Sequence, residues 1–203
     1  CAYLNCDAAL PDPFLMTDMD KAVARVRLAI GRGEKIAVFG DYDVDGITST
    51  CLLTDFLRSC GADCVSYIPG RLEEGYGLNP IAIRQLHQEG VKLIITVDCG
   101  ITAVEEARLC KELGIDLVIT DHHECKQVLP EAIAVVDPHR PDGGYPHKTL
   151  SGVGVAFKLA CALCGSQEEV LHNYADMVCL GTVADVMPLH GENRVFVTRG
   201  LAL

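Results

Sequence analysis

Short apolar runs alternate with amphipathic segments along most of the chain. Such runs, bounded by glycine and charged residues, are typical of buried strands, whereas apolar positions at helical spacing indicate helices between them. This alternation favours an α/β fold, in which helices cover both faces of a mostly parallel β-sheet. The predicted strands span residues 35–40, 63–68, 92–97, 116–120 and 132–137, and the helix after the first of them spans roughly 46–60 and ends at Gly61.

Capping residues locate the other helices of this part. The first helix is predicted to begin at Thr17 and Asp18 and to stop at Gly31, because a side-chain oxygen caps a helix start and glycine often ends a helix. A further helix begins at Asn79, which is followed by a proline at the first helical position. Another is predicted to begin at the capping box formed by residues 102–105.

Beyond about residue 150 the pattern contains helices only. One follows the segment LSGVG, a second begins at the capping box of residues 166–169, and a third begins near Glu192. We therefore expect one domain with three parts: an irregular segment (1–16), an α/β core (17–149) and a helical part (150–203). The last apparent helix has no stop signal, so we expect the chain to be a fragment of a longer protein.

Composition narrows the class of protein. Apolar residues make up 49% of the 203 positions, which argues against disorder. Neither a membrane-spanning run nor a secretory signal is recognisable, so we expect a cytoplasmic protein. The eleven cysteines are an odd number. Most lie in apolar periodic segments, so we expect free buried thiols rather than disulfides or a metal site, at Cys51, Cys60, Cys110, Cys161 and Cys179.

The acidic residues are gathered rather than scattered. A net charge of −11 argues against binding nucleic acid through a basic surface, but divalent cations held by acidic groups would reverse the local charge and admit a phosphate. Ligands of open parallel sheets bind beyond the carboxyl ends of the strands. The residues at those ends are Asp41, Asp43 and Asp45 after the first strand, Arg71 after the second, Asp98 after the third, and Asp121, His122 and His123 after the fourth.

Carboxylates this close together repel one another unless cations lie between them. Aspartate and neutral imidazole suit Mn²⁺ or Mg²⁺, and more carboxylates than one ion needs indicate two ions about 3.5–4 Å apart. Such a pair activates a water for in-line displacement at phosphorus. Any one of these aspartates alone would be explained as a helix N-cap, but their convergence favours a metal site.

Other candidate residues have an ordinary structural explanation as well. Arg71 either pairs with a backbone phosphate or is a surface arginine, and Tyr76 either stacks on a base or anchors its loop. Residues Ser151, Gly152 and Gly154 form either an anion cradle at a helix start or a plain capped helix.

The remaining polar candidates at this edge are expected to be structural. Asp137 and His139 lie beside the metal ligands at best. The other histidines show no partner pattern and are expected on the surface: His87, His147, His172 and His190.

Four segments resemble, in order and spacing, the motifs of the DHH phosphoesterase superfamily, and most closely its bacterial RecJ branch. They read GDYDVDGITS, VDCG, TDHHE and GTVADVMPL, and two further segments, IPGRLEEGYGL and LSGVGVAFKL, are similar to that branch as well. The resemblance covers nearly the whole chain from about residue 11. It implies a 5′-to-3′ single-stranded-DNA exonuclease of DNA repair and recombination that uses two Mn²⁺ or Mg²⁺ ions and releases mononucleotides.

The resemblance also assigns roles. It implies that Asp43 and Asp45 each bind one ion, that Asp98 bridges both ions, and that His122 and Asp185 complete the ligand set. His123 would face the scissile phosphate or order the ligands.

The sequence departs from the wider superfamily at one position. Phosphatase-like members carry a histidine four residues before the first ligand, where this chain has Phe39. Asp41 is the candidate replacement, directly or through water. This departure disfavours enzymes acting on short oligonucleotides or cyclic dinucleotides, which remain an alternative, together with a non-catalytic Cdc45-like scaffold module.

The same resemblance implies that the full-length protein has further domains, of DHHA1 and oligonucleotide-binding type, which this chain lacks. We therefore expect single-stranded DNA as the partner, no membrane association, and contacts with other repair proteins only through the missing domains.

Overall fold

Five parallel strands form the centre of the fold in a computed structural model, which describes residues 9–70 and 77–202. The strands are β1 (Ile36–Gly40), β2 (Cys64–Tyr67), β3 (Leu93–Val97), β4 (Asp116–Thr120) and β5 (Ala134–Val136). Their order across the sheet is β2-β1-β3-β4-β5, and every neighbouring pair is parallel. The α/β fold predicted from the alternating pattern is therefore confirmed.

Seven helices surround the sheet in the described part of the chain. They are α1 (Met19–Arg32), α2 (Val44–Ser59), α3 (Pro80–Gln88), α4 (Val104–Glu112), α5 (Gly152–Cys164), α6 (Gln167–Ala184) and α7 (Gly191–Gly200), and a 3₁₀ turn, Pro13–Leu15, precedes them.

Alternation along the strands gives the sheet two apolar faces. Val38 of β1 packs into a large core with α1, α2, α5, α6 and α7, whereas the adjacent Phe39 packs into a smaller core with α3 and α4. Successive strand residues point to opposite faces, so both faces need apolar side chains, and all five residues of β1 are buried.

The order of the strands changes direction at β1, which leaves a crevice next to this strand. From β1 the chain moves to one side for β2 and returns to the other side for β3. The connections after β1 and β3 therefore diverge, and the crevice between them at the carboxyl ends of the strands is where open α/β sheets bind ligands. This topology positions the acidic residues described below.

Three predicted helix starts or ends are wrong. Helix α1 continues through Gly31 to Arg32, because it is Gly33 that takes the left-handed conformation (φ 63°). The N–H of Gly33 donates to the carbonyl oxygens of Ala29 and Ile30. Asp18 precedes α1 but does not cap it, since its carboxylate binds Arg140 and Lys21. Helix α2 begins at Val44, two residues earlier than predicted, because Asp43 caps it.

The capping box predicted at residues 102–105 does not form. Helix α4 begins at Val104, after Ala103, with no side-chain cap. By contrast, Asn79 accepts a hydrogen bond from the Ala82 N–H and Ser166 accepts one from the Glu169 N–H, so both of those predicted caps are confirmed.

Two of the thiols expected to be buried are exposed. Cys51 and Cys60 lie on the outer side of α2 and at its end, whereas Cys110, Cys161 and Cys179 are buried as predicted. His147 also differs from the prediction, because it is only partly exposed and packs edge-on against the ring of His190, with ring centres 5.3 Å apart. Within residues 9–70 and 77–202, no helix has the length and apolar character needed to cross a membrane.

Candidate metal centre

Asp43 and Asp45 are fixed by the start of α2. Asp43 is the N-cap, and its side chain accepts a hydrogen bond of 2.9 Å from the Gly46 N–H. Asp45 lies in the first helical turn, 2% exposed, and points across to the start of α5. There it accepts hydrogen bonds from the Gly152 N–H (2.6 Å) and the Val153 N–H (2.9 Å). The N-terminus of α5 thus stabilises the negative charge of Asp45, which belongs to α2.

Asp98 occupies the turn after β3 with a left-handed backbone (φ 59°), a conformation that aspartate tolerates better than most residues. Its side chain is buried, and among the described residues the ring of His122 is the partner of one carboxylate oxygen, Oδ1. That atom lies 3.1 Å from Nε2 of His122. Nε2 can donate to this buried oxygen only while it carries a proton, so with a neutral His122 the oxygen needs another positive partner.

His122 presents one ring nitrogen to these carboxylates. Its Nδ1 lies 3.0 Å from the carbonyl oxygen of Leu150, which can only accept, so Nδ1 carries the proton. In the neutral ring Nε2 then keeps a lone pair, which is the arrangement in which histidine binds a metal. Nε2 also lies 3.8 Å from Asp45 and 3.7 Å from Asp185.

Asp185 reaches the same place from the helical part of the chain. It follows the last residue of α6, and its side chain is 30% exposed. Together with Asp43, Val44, Asp45 and Ala184 it lines a small cleft of about 140 Å³ that opens to solvent. The cleft gives the buried carboxylates an entrance from outside.

Three groups of side chains bring their donor atoms within 4.8 Å of one another. Asp98 belongs to two of the groups and His122 to two, so the groups adjoin. Their members are Asp98, His122 and His123; Asp45, His122 and Asp185; and Asp41, Asp43 and Asp98. The structure therefore assembles every residue for which a metal-binding role was expected, and oxygen and imidazole donors of this kind suit Mn²⁺ or Mg²⁺.

Burial makes this cluster hold protons in the absence of cations. It raises the pKa of Asp98 to about 8 and that of Asp45 to about 6. Burial alone would lower the pKa of His122, but the carboxylates of Asp98 and Asp45 raise it to about 9. Burial also raises the pKa of Asp185. Cations that bind here must displace these protons.

Asp121 fixes the backbone of the two histidines that follow it in the chain. Its carboxylate accepts hydrogen bonds from the backbone N–H groups of Ile101 (2.8 Å) and His122 (2.7 Å), and it contacts Nδ1 of His123 at 2.7 Å. Although burial acts in the opposite direction, the hydrogen bond from His123 holds the pKa of Asp121 below its usual value. The sequence placed Asp121 at this edge but gave it no role. The signal was its position directly before two histidines whose backbone it fixes.

The anion cradle predicted at residues 151–154 is corrected by the structure. The helix start does hold an anion, but that anion is the carboxylate of Asp45, which already binds the N–H groups of Gly152 and Val153. The Ser151 hydroxyl is buried, accepts the Gly154 N–H at 3.3 Å and contacts Thr182. In the structure the N–H groups of Gly152 and Val153 therefore hold a side chain of the protein, and the N–H of Gly154 binds the Ser151 hydroxyl at the helix start.

The other candidates lie outside the metal cluster. Arg71 and Tyr76 lie outside the described residues. Asp137 is buried after β5, accepts the His139 N–H at 2.7 Å, and has its pKa raised to about 7 by burial. Neither Asp137 nor His139 belongs to the three donor groups found among the described residues.

Asp185 is the ligand candidate that strand-based reasoning alone would have missed. It follows a helix rather than a strand, and only the resemblance of the GTVADVMPL segment pointed to it. The structure brings it within 3.7 Å of His122 Nε2.

Comparison with known proteins gives consistent similarities. A family model described as "DHH family, N-terminal domain" matches residues 35–182. The single-stranded-DNA-specific exonuclease RecJ of Bacillus subtilis (strain 168) is 50% identical over 195 residues, which cover 96% of this chain and 24% of that relative.

Two solved structures are similar throughout the chain. A crystal structure of exonuclease RecJ bound to manganese has a TM-score of 0.82 at 41% identity, covering 96% of this chain and 49% of that one. RecJ from Thermus thermophilus in complex with Mn²⁺ has a TM-score of 0.77 at 37% identity, covering 96% of this chain and 28% of that one. The chain thus spans about a quarter of the length of the curated relative and at most half of these two structures.

Proposed function

Because this chain belongs to the DHH family, we propose that it is the catalytic part of a metal-dependent phosphodiesterase that degrades single-stranded DNA from the 5′ end. The observation that carries the proposal is the cluster of buried carboxylates around His122, whose donor atoms fall into three adjoining groups, each within 4.8 Å. Relatives that are 50% and 41% identical are named as single-stranded-DNA-specific and manganese-bound exonucleases, and this supports the same substrate here.

The proposed ligands divide between two cations. Asp98 and His122 each belong to two of the three donor groups, and Asp98 connects the group of Asp41 and Asp43 to His122, so Asp98 is the natural shared ligand. Asp43 and Asp41 adjoin it on one side, and Asp45 and Asp185 adjoin His122 on the other. Two divalent cations here would lower the pKa of a water and neutralise charge on the phosphate.

The protein's own groups prepare the site for that chemistry. The carbonyl of Leu150 fixes the tautomer of His122, and Asp121 fixes the backbone of both histidines. His123 is half exposed, and its hydrogen bond to Asp121 raises its pKa. With Nδ1–H donated to Asp121, the Nε2–H of the protonated ring, which the raised pKa favours, is available to donate to a phosphate oxygen of the substrate.

The acidic character of the chain determines how DNA would be bound. The chain carries a net charge of −11, so affinity for DNA must come from the metal ions rather than from the surface field. We propose that DNA binding by this chain requires divalent cations and falls to background in a chelator.

The test is hydrolysis of a 3′-labelled single-stranded oligonucleotide with Mn²⁺. We expect the label to stay on shortening strands while unlabelled mononucleotides are released, and we expect His122→Gln to remove this activity. His172→Gln is the matched control, because His172 is an exposed histidine on the same helix that Asp185 follows but thirteen residues away, roughly 20 Å along a helix. Equal activity of His122→Gln and wild type would contradict the proposal.

An enzyme acting on short substrates predicts a different result in the same assay. A dinucleotide would then be cleaved in preference to the long strand. We also propose that residues 9–202 form a single catalytic domain, which limited proteolysis would show by leaving one protected fragment.

A further inference from the structure

We propose that Gly152 is a positioning residue of the metal centre, required because a side chain at this position would displace Asp98. This inference rests on the proposed metal-dependent function. It concerns a residue that binds neither metal nor substrate, and it replaces the phosphate-binding role expected for Gly152.

Space at Gly152 is the first argument. A methyl group built on its Cα would lie 2.5 Å from Asp98 Oδ1, 2.6 Å from Asp98 Cβ and 2.7 Å from Asp98 Cγ. These separations are far inside van der Waals contact, and Asp98 has little freedom to retreat because it is 2% exposed and its backbone is left-handed. A larger residue at 152 therefore moves the carboxylate proposed to be shared between two cations.

The backbone at Gly152 is the second argument. It does not adopt a positive φ, so no conformational reason requires glycine there. Gly152 is the first residue of α5, where alanine is the better helix former. Space beside Asp98 is then the physical reason for glycine.

The N–H of Gly152 adds a second function at the same residue. It donates to Asp45 Oδ2 at 2.6 Å, while the next N–H, of Val153, donates to Asp45 Oδ1. One residue of α5 thus acts on two of the proposed ligands. Its N–H binds Asp45, and its lack of a side chain leaves room for Asp98. It links the helical part of the chain to the carboxyl end of the sheet.

Gly181 of α6 leaves space beside Asp45. A methyl group there would lie 2.8 Å from Asp45 Oδ1 and 2.5 Å from the Thr48 hydroxyl. Glycines on two helices, α5 and α6, therefore leave the space that the carboxylates of Asp98 and Asp45 occupy.

The experiment compares two Gly→Ala variants in one helix. Gly154, two residues after Gly152, also lacks a positive φ, and a methyl group there would meet Leu150 only at 3.4 Å, an ordinary contact. Manganese binding is measured by titration calorimetry, with the apo fold followed by circular dichroism and thermal unfolding. We expect Gly152→Ala to weaken manganese binding at least roughly tenfold or to lose one bound ion, while Gly154→Ala stays within about twofold of wild type.

The outcomes separate this inference from the proposed function. If the wild type itself takes up no manganese, the proposed function fails. If wild type binds manganese and folded Gly152→Ala binds it equally, the positioning role is wrong. Should Gly152→Ala be too unstable to titrate, the Mn²⁺ electron paramagnetic resonance spectrum of Gly181→Ala decides. A spectrum identical to that of wild type would overturn the role of these glycines, and an altered one would support it.

Discussion

Replacing Asp98 by asparagine is expected to stabilise the metal-free protein while abolishing its uptake of manganese. Burial raises the pKa of Asp98 from 3.8 to about 8. At pH 7 the unfolded chain has therefore released this proton, whereas the folded chain keeps it. Holding the proton disfavours folding by about 4 kcal/mol, since each pKa unit between 3.8 and 7 corresponds to about 1.4 kcal/mol.

His122 offsets part of that cost. Burial alone would lower its pKa, but the carboxylates of Asp98 and Asp45 raise it from 6.5 to about 9. A raised histidine pKa stabilises the fold below the folded pKa, here by roughly 2–3 kcal/mol at pH 7. Asp98→Asn loses much of this contribution, so the expected net gain is about 2 kcal/mol. In a chain of this length that corresponds to a rise in Tm of roughly 4–8 °C.

Thermal unfolding in EDTA and in excess Mn²⁺ measures both effects. Asparagine keeps the shape of aspartate and tolerates the left-handed backbone at this position, so strain does not confuse the comparison. Asp176→Asn, at an exposed position on α6, is the control and should change stability by less than about 0.5 kcal/mol. The reasoning is refuted if Asp98→Asn lowers the metal-free Tm, or if Mn²⁺ raises the Tm of this variant as much as that of wild type.

Three further predictions follow from other contacts. Because Asp98 and His122 hold protons that a cation must displace, manganese affinity should rise between pH 6 and pH 9, and calorimetry that shows a flat profile would count against the raised pKa values. Lys158 is fully buried and ion-paired with Glu192. Lys158→Met leaves Glu192 buried without its partner, so urea unfolding should show a free energy of unfolding lower by about 3–5 kcal/mol. A decrease below about 1 kcal/mol would show that the ion pair contributes little to stability. Val186 is 86% exposed with a left-handed backbone (φ 57°), so Val186→Gly should raise stability by about 1 kcal/mol, and an unchanged or lower stability would show that its backbone is not strained.

The sequence predicted the sheet because its signals are local. Strands β1, β3 and β5 are fully buried apolar runs, β4 is buried apart from its first residue, and β2 is only partly buried, yet the pattern predicts each of the five to within one or two residues. Convergence of Asp43, Asp98 and His122 followed from one rule, that the carboxyl ends of parallel strands share an edge.

Helix boundaries were less predictable because tertiary contacts compete for the capping residues. Asp18 binds Arg140, which is distant in sequence, instead of capping α1. The sequence pattern predicts a stop at Gly31, but the left-handed position falls on Gly33. A single sequence cannot show which of two nearby glycines takes the positive φ.

The contacts that organise the site depend on the packing of the helical part. The local pattern at residues 151–154 correctly indicated an anion at a helix start, but Asp45, more than a hundred residues away in the chain, supplies it. The carbonyl of Leu150, which fixes His122, has no side-chain signature at all. Such contacts become visible only once α5 is placed against the sheet.

The most direct test of a cation-dependent acidic cluster is anomalous diffraction from crystals of this chain soaked in Mn²⁺. The account predicts two manganese peaks among Asp43, Asp45, Asp98, His122 and Asp185, with Oδ1 of Asp98 bound to at least one. Fully occupied manganese elsewhere on the surface, with these carboxylates left unbound, would contradict it.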